Sequence, residues 1–120
     1  MPPIIMEDLR NVAELTQKLN TNPGLIIMKF SAEWCGPCRG IKSLVDERKN
    51  ELNENVHFYD IDIDETLDIY GFFKTKKMLR GIPAIMCWVK NNSTFIPDQV
   101  VNSGDKKEIN AFFDYCVSRI

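Results

Sequence analysis

The chain has 120 residues, of which 44% are hydrophobic and 27% are charged, as in an ordinary globular domain rather than a disordered segment. Its 15 basic and 17 acidic residues give a net charge of −2, which argues against a nucleic-acid-binding module, since such modules carry a basic excess. No apolar stretch approaches a membrane span and the acidic amino terminus does not resemble a signal peptide, so we expect one soluble, cytoplasmic domain over residues 1–120 that binds neither membranes nor nucleic acid.

Apolar periodicity predicts that strands alternate with helices along the chain. Continuous or alternating apolar runs predict strands at residues 4–5, 25–31, 56–64, 84–89 and 95–101. Apolar residues three and four positions apart predict helices at about residues 8–20, 35–52, 66–77 and 105–120. For the last helix, Asp105 and Glu108 have the spacing of a capping box. This order predicts an α/β fold with a mostly parallel, mixed β-sheet of four to five strands, flanked by helices on both faces and closed by an antiparallel edge.

The segment Cys35-Gly36-Pro37-Cys38 places two cysteines where a buried strand meets a helix. The amino terminus of a helix carries partial positive charge and stabilises a thiolate, which is the reactive form of cysteine. We expect Cys35 to be the exposed, attacking sulfur. Cys38 follows one turn later and is expected to lie deeper, where it attacks the mixed disulfide and releases a reduced target.

The cysteine pair has two alternative roles, a zinc site and a structural disulfide. A structural zinc site needs four ligands, but the chain has one histidine, His57, and no second closely spaced pair, since Cys87 and Cys116 are isolated at expected core positions. The pair could also be a structural disulfide or two idle thiols, although the field of the helix favours redox chemistry. We expect neither a metal nor an organic cofactor.

The segment Ala32-Glu33-Trp34-Cys35-Gly36-Pro37-Cys38 resembles the active-site motif of the thioredoxin family. Gly81-Ile82-Pro83-Ala84 resembles the cis-proline loop of that family, and the order of motifs and elements matches it over nearly the whole chain. The resemblance implies the thioredoxin fold. It also implies a protein-disulfide reductase in which Cys35 attacks and Cys38 resolves, because Gly-Pro between the cysteines is typical of reducing members.

The resemblance further implies a docking surface and partners. The docking residues would be Trp34, Gly36, Pro37, Gly81, Ile82 and Pro83. The Ile82–Pro83 bond would be cis, and the backbone of Ile82 would pair with an extended substrate segment. The implied partners are disulfide-containing proteins and a reductase such as thioredoxin reductase, and the chain would act as a monomer.

The chain departs from the family pattern beneath the cysteine pair. Lys29 stands where the family has a buried aspartate that relays a proton for the resolving thiol, and Asp60 stands where it has a lysine on the next strand. We expect a partly buried Lys29–Asp60 ion pair, either member of which relays the proton of Cys38, while the ammonium favours the Cys38 thiolate. The alternative is that Lys29 reaches solvent and takes no part in the chemistry.

Two further departures concern docking. Asn102-Ser103 stands where the family has a glycine after the last strand, so that glycine has no clear match. The segment 66–80 is longer than usual and carries a run of cations that could select acidic partners: Lys74, Lys76, Lys77 and Arg80.

Two functions besides the reductase stay open. The first is a binding subunit that holds a partner through the docking surface, with incidental redox activity; docking alone would not require both cysteines and the Gly-Pro between them. The second is a disulfide oxidase or isomerase with a shifted potential, which the presence of Lys29 keeps under consideration.

Overall fold

The computed structural model describes residues 2–120 and shows a five-stranded sheet covered by helices on both faces. Its strands are β1 (Ile4–Ile5), β2 (Leu25–Ser31), β3 (Val56–Asp62), β4 (Ala84–Val89) and β5 (Gln99–Val101). Its helices are α1 (Val12–Asn20), α2 (Gly36–Lys49), α3 (Leu67–Thr75) and α4 (Lys106–Val117). Within residues 2–120, none of the helices is long and apolar enough to cross a lipid bilayer. The predicted α/β fold with a mixed sheet is confirmed.

The strand order across the sheet is β1-β3-β2-β4-β5. β1, β3 and β2 run parallel to one another, whereas β4 is antiparallel to both β2 and β5. The expectation of a mostly parallel sheet with one antiparallel edge was therefore wrong about β4. Alternation of helices and strands does not determine strand direction, because the connection through α3 can return the chain to either end of the sheet.

The two faces of the sheet carry separate cores because side chains alternate along buried strands. One face packs against α1 and α3 through Leu15, Leu19, Ile69 and Phe73. The other packs against α2 and α4 through Ile41, Val45, Ile109, Phe112, Phe113 and Cys116. Trp88 is a core residue, and its ring centroid lies 5.7 Å from that of Phe73.

The strand pairings bring three loops to one edge of the sheet. Ser31 at the end of β2 pairs with Asp62 at the end of β3, and Phe30 pairs with Ala84 at the start of β4. Val101 at the end of β5 pairs with Ile85, the second residue of β4. The loops after β2, before β4 and after β5 therefore meet, and the cysteine motif lies in the first of them.

Several predicted elements are shorter in the structure because side chains cap them or pack elsewhere. α1 begins only after Asn11, whose side-chain oxygen accepts a hydrogen bond of 3.0 Å from the backbone N–H of Glu14. β5 covers only the last part of the predicted strand, and Phe95 instead packs against the first core, with its ring centroid 4.8 Å from that of Phe72. The predicted ends of α2, β3 and α3 each extended two or three residues too far.

The amino terminus of α4 differs from the expected capping box. Asp105 caps the helix, since its carboxylate accepts a hydrogen bond of 2.8 Å from the backbone N–H of Lys107. Glu108, however, accepts a hydrogen bond from the Ser103 hydroxyl instead of from the backbone N–H of Asp105. The buried stripe of α4 ends at Cys116, and Ile120 is exposed beyond the helix.

The carboxyl end of α3 adopts a Schellman motif with a lysine at the left-handed position. Lys77 has φ 60°, its N–H donates to the carbonyl of Lys74, and the N–H of Met78 donates to the carbonyl of Phe73. Glycine is the usual residue at this position because it has no Cβ to clash in the left-handed conformation. The backbone of Lys77 is therefore strained relative to a glycine.

Replacing Lys77 with glycine is expected to raise the free energy of unfolding by about 1 kcal/mol, since a left-handed residue with a Cβ costs about that much. Urea unfolding followed by circular dichroism measures the change. Lys76→Gly is the matched control: Lys76 has φ −80°, and glycine there should lower stability. A loss of stability in both variants would contradict the expectation.

Candidate active site

The cysteine pair lies at the amino terminus of α2, where a disulfide joins Cys35 to Cys38. Cys35 is the N-cap residue, and its Sγ accepts a hydrogen bond of 3.2 Å from the backbone N–H of Cys38. Pro37 occupies the first turn, where a helix needs no N–H donor. The first turn of α2, which the structure describes in full, contains no acidic residue, so the positive end of the helix dipole acts on the sulfur of Cys35 without a nearby helical carboxylate.

The two cysteines are equally buried, each with 5% of its surface exposed. The expectation that Cys35 is exposed and Cys38 lies deeper was therefore wrong for this oxidised form. The disulfide holds the two sulfurs together, and both residues pack in the same core cluster as Ala32. What distinguishes Cys35 is its place at the helix end, rather than its exposure.

Trp34 forms an exposed wall beside the cysteine pair, with 65% of its surface accessible. Its indole Nε1–H donates a hydrogen bond of 2.8 Å to the carboxylate of Asp64. A second contact holds this loop, since the Arg39 guanidinium donates to the backbone carbonyl of Glu33 at 2.6 Å. Sequence reasoning missed Asp64, which is 30 residues away from Trp34 in the chain. In the sequence it is one of several acids that alternate along the predicted strand 56–64.

Lys29 and Asp60 form the expected ion pair. They are register partners on β2 and β3, and Lys29 Nζ lies 3.6 Å from Asp60 Oδ1. The Lys29 side chain is only 9% exposed, whereas that of Asp60 is 51% exposed. The alternative that Lys29 extends into solvent was therefore wrong, because β2 is a central strand and its lysine is covered by neighbouring elements.

A cavity of about 600 Å³ connects this ion pair to the cysteine pair. Lys29, Asp60 and Cys38 all line it. The other lining residues are Ser31, Ala32, Glu33, Arg39, Lys42 and Asp62. The cavity is wide enough to hold water, so a proton can pass between Cys38 and the ion pair without direct contact of their side chains.

The loop before β4 completes the edge. The Ile82–Pro83 bond is cis, as the resemblance implied, and Gly81 and Ile82 are half-buried at the surface. On the other side, a Cβ built on Gly104 would lie 3.5 Å from the Cβ of Pro37. Gly104, which directly follows Asn102-Ser103, therefore lies against the cysteine motif.

The remaining residues considered from the sequence lie away from this edge. His57 is inside the sheet, paired with β1 and β2 rather than at a strand edge, and burial lowers its pKa. Cys87 and Cys116 are buried thiols, and a hydrogen bond between them together with burial raises the pKa of Cys116. Enclosed in the core, neither thiol is a candidate nucleophile. Over the part of the chain that the structure describes, no cluster of three or more potential ligands could hold a metal ion.

Comparison with known proteins agrees with this arrangement. The sequence model of the thioredoxin family matches residues 8–115. The chain belongs to the thioredoxin family. Among solved structures, Trichomonas vaginalis thioredoxin has the same fold, with a TM-score of 0.72 and 22% identity over 96% of this chain and 97% of that one.

Two curated relatives are similar in sequence. Thioredoxin 3 of Plasmodium falciparum is 27% identical over 93% of this chain and 60% of its own length. The NADPH-dependent thioredoxin reductase 3 of Arabidopsis thaliana is 33% identical over 59% of this chain, a match that covers 16% of the reductase. The chain thus spans less than two thirds of the length of these relatives.

Proposed function

We propose that this chain is a thiol–disulfide oxidoreductase that reduces disulfides in other proteins. The observation that carries the proposal is the Cys35–Cys38 disulfide at the amino terminus of α2, bordered by an exposed tryptophan and a cis-proline loop. The helix end stabilises a thiolate on Cys35, and the short spacing allows Cys38 to close the ring. No metal or organic cofactor enters the reaction, because the cysteine pair itself carries the two electrons.

The reaction proceeds by two exchanges. In the reduced protein the Cys35 thiolate attacks one sulfur of the target disulfide, which forms a mixed disulfide and releases the first target thiolate. Cys38 then loses its proton and attacks Cys35 Sγ, which re-forms the Cys35–Cys38 disulfide and releases the second target thiolate. The cysteine pair thereby transfers two electrons to the target, and the two released thiolates take up their protons from solvent.

Lys29 and Asp60 act on the second exchange through the cavity they share with Cys38. The buried ammonium of Lys29 favours the Cys38 thiolate over the thiol. Asp60 is the half-exposed member of the ion pair and can pass the proton released by Cys38 to solvent. The pair thereby takes the place of the aspartate and lysine that the family resemblance implies, with the charges exchanged.

Target proteins dock on the edge where the three loops meet. The surface comprises Trp34, Gly36, Pro37, Gly81, Ile82 and Pro83. A target segment in extended form pairs with the backbone of Ile82, which places its disulfide against Cys35. A reductase such as thioredoxin reductase returns the pair to the dithiol, and the chain acts as a monomer. The likeness to a domain of a thioredoxin reductase supports the choice of recycling partner.

The test is the reduction of insulin disulfides, driven by dithiothreitol and followed by the turbidity of the precipitating chains. A reductase accelerates the reaction in proportion to its concentration. No acceleration over dithiothreitol alone would refute the general reductase and would favour the binding subunit, whose docking surface needs no redox activity.

A disulfide oxidase is the second candidate, and the buried Lys29 favours it. Stabilising a thiolate stabilises the reduced dithiol, which makes the disulfide form a stronger oxidant. Equilibration of the protein with glutathione redox buffers separates the two candidates. A potential near that of glutathione disulfide or above it would indicate the oxidase, and a much lower potential would indicate the reductase.

The hydrogen bond between Trp34 and Asp64 gives a prediction about docking. Asp64→Ala is expected to lower kcat/KM for insulin reduction about fivefold, since one hydrogen bond is worth about 1 kcal/mol and its loss frees the indole to rotate. The effect should appear mainly in KM. Glu65→Ala is the matched control, because it removes a neighbouring exposed carboxylate other than the one that accepts the indole hydrogen bond. Equal effects of the two variants would contradict a docking role for the hydrogen bond.

A further inference from the structure

A groove of about 720 Å³ runs beside the docking edge, between the segment after α3 and the end of β5. Lys77, Met78 and Arg80 form one wall. The residues of the opposite wall and floor include Gln99, Val100, Asn102, Ser103 and Phe112. One hydrogen bond joins the two walls, since the backbone N–H of Arg80 donates to the side-chain Oδ1 of Asn102 at 3.2 Å.

The cations of this groove lack acidic partners among residues 2–120. Neither Lys77 nor Arg80 has a carboxylate of that range within ion-pair distance, and both are exposed. The nearby lysines Lys74 and Lys76 do have partners. Their ammonium groups lie over the rings of Tyr70 and Phe72, at 5.5 Å and 5.6 Å from the ring centroids. Lys77 also occupies a backbone position at which glycine would be less strained. The positive charge at this wall is therefore available to a ligand.

The carboxylate that lines the groove is already bonded. Glu108 belongs to the lining, but it accepts a hydrogen bond from the Ser103 hydroxyl. This hydrogen bond does not neutralise Glu108, so the lining carries two cations, Lys77 and Arg80, against one anion.

The groove is continuous with the docking surface at two points. Arg80 lies two residues before Ile82, with whose backbone the target pairs in the proposed function. Asn102 and Ser103 lead directly to Gly104, which lies against Pro37 of the cysteine motif. A target segment that extends past Ile82 on this side must run along Lys77 and Arg80.

The far side of the motif has no excess of positive charge, because Glu33, Asp62 and Asp64 lie there with the cations Arg39 and Lys42. Asp62 and Asp64 lie at and beyond the end of β3, on the side of β2 away from β4 and β5, and Glu33 precedes Trp34. A target with acidic residues on one side of its disulfide therefore gains net attraction when that side meets the groove. The two sides of the docking edge thus select both the charge and the orientation of the target.

We infer that the groove beside Lys77 and Arg80 binds an acidic, extended segment that flanks the disulfide of a target protein. This inference rests on the proposed reductase function and adds a substrate class to it. The occupant is a polypeptide, because the groove continues the edge on which the target backbone lies and its walls include the half-apolar strand β5.

The experiment compares synthetic peptides that contain one intramolecular disulfide. One peptide carries four glutamates before the disulfide, one carries them after it, and a third carries four glutamines. The pre-reduced chain is mixed with each peptide at low salt, and product thiols are measured over a single turnover. We expect one of the two acidic peptides to react about tenfold faster than the glutamine peptide, since two exposed ion pairs are each worth a few-fold.

The double variant Lys77→Gly with Arg80→Gln should reduce this rate ratio to nearly one. Glycine suits the backbone at position 77, so the variant is expected to fold. The matched control is Lys90→Gln with Arg119→Gln, which removes the same charge from exposed positions outside the groove and should keep the wild-type ratio. Salt at about 0.5 M should also abolish the preference.

The outcomes separate the two proposals. If the wild-type chain reduces none of the peptides, the reductase function itself fails. If it reduces all three at the same rate, the reductase stands and the acidic groove is refuted. The groove is also refuted if the preference persists in the groove variant, or if the control variant loses it equally, because net charge alone would then explain it.

Discussion

In the Cys35→Ser variant, the rate at which insulin disulfides are reduced is expected to fall to the rate with dithiothreitol alone. A serine hydroxyl is not ionised near neutral pH and cannot form the mixed disulfide, so the first exchange does not occur. The side chains are nearly equal in size, and the fold should be retained. The insulin assay measures the loss, and circular dichroism checks the fold.

Cys38→Ser should behave differently from Cys35→Ser, although both remove one thiol of the pair. Without the resolving thiol, Cys35 still attacks, and the mixed disulfide accumulates as a covalent complex visible on a non-reducing gel. Cys87→Ala is the control for the loss of a cysteine elsewhere, since Cys87 is buried in β4 and its removal should leave the activity intact. A covalent complex with Cys35→Ser rather than with Cys38→Ser would reverse the assigned roles.

Lys29→Met is expected to slow resolution of the mixed disulfide about 10²-fold near neutral pH, the lower end of the range for an acid–base group. Methionine keeps the length and apolar stem of the lysine but cannot favour the Cys38 thiolate. The variant should fold, because it removes a nearly buried charge and leaves Asp60 half-exposed to water. Rapid-quench measurement of a preformed mixed disulfide gives the rate.

The pH dependence distinguishes an electrostatic role of Lys29 from a structural one. If the ammonium favours the thiolate, the resolution rate of Lys29→Met should reach its half-maximum at a higher pH than in the wild type and recover in alkaline solution. Lys42→Met is the matched control: Lys42 lines the same cavity, but its side chain is 70% exposed and pairs with Asp46. An unchanged resolution rate in Lys29→Met would remove Lys29 from the mechanism.

The Lys29–Asp60 pair was predicted from the resemblance to the thioredoxin family, in which these two positions are neighbours on adjacent strands. The structure confirms it, since Lys29 and Asp60 are register partners on β2 and β3. Apolar periodicity by itself would not have given the pair, because β2 is a continuous apolar run that does not define a register. The burial of Lys29 was not predictable, since a lysine near a strand end can extend into solvent unless other elements cover it.

The contacts around Trp34 and Pro37 could not be predicted in this way. The hydrogen bond from Trp34 to Asp64 and the contact of Gly104 with Pro37 join loops that are distant in the chain. These contacts form only when three loops pack at one edge of the sheet. The periodicity of nearby residues does not predict that packing. The antiparallel direction of β4 escaped prediction for the same reason.

The sequence by itself determined the elements, the α/β class and the cysteine pair at a helix end, and the resemblance to the family added the charge exchange beneath that pair. The elements, the class and the cysteine pair depend on local periodicity, on helix capping and on residues a few positions apart. Each of these can be read from residues that are close together in the sequence. The tertiary structure alone decided which loops share an edge, that Cys35 and Cys38 are equally buried, and that Lys77 and Arg80 line a groove together with the end of β5. Such features arise because packing brings together segments whose separation along the chain carries no information about their distance in space.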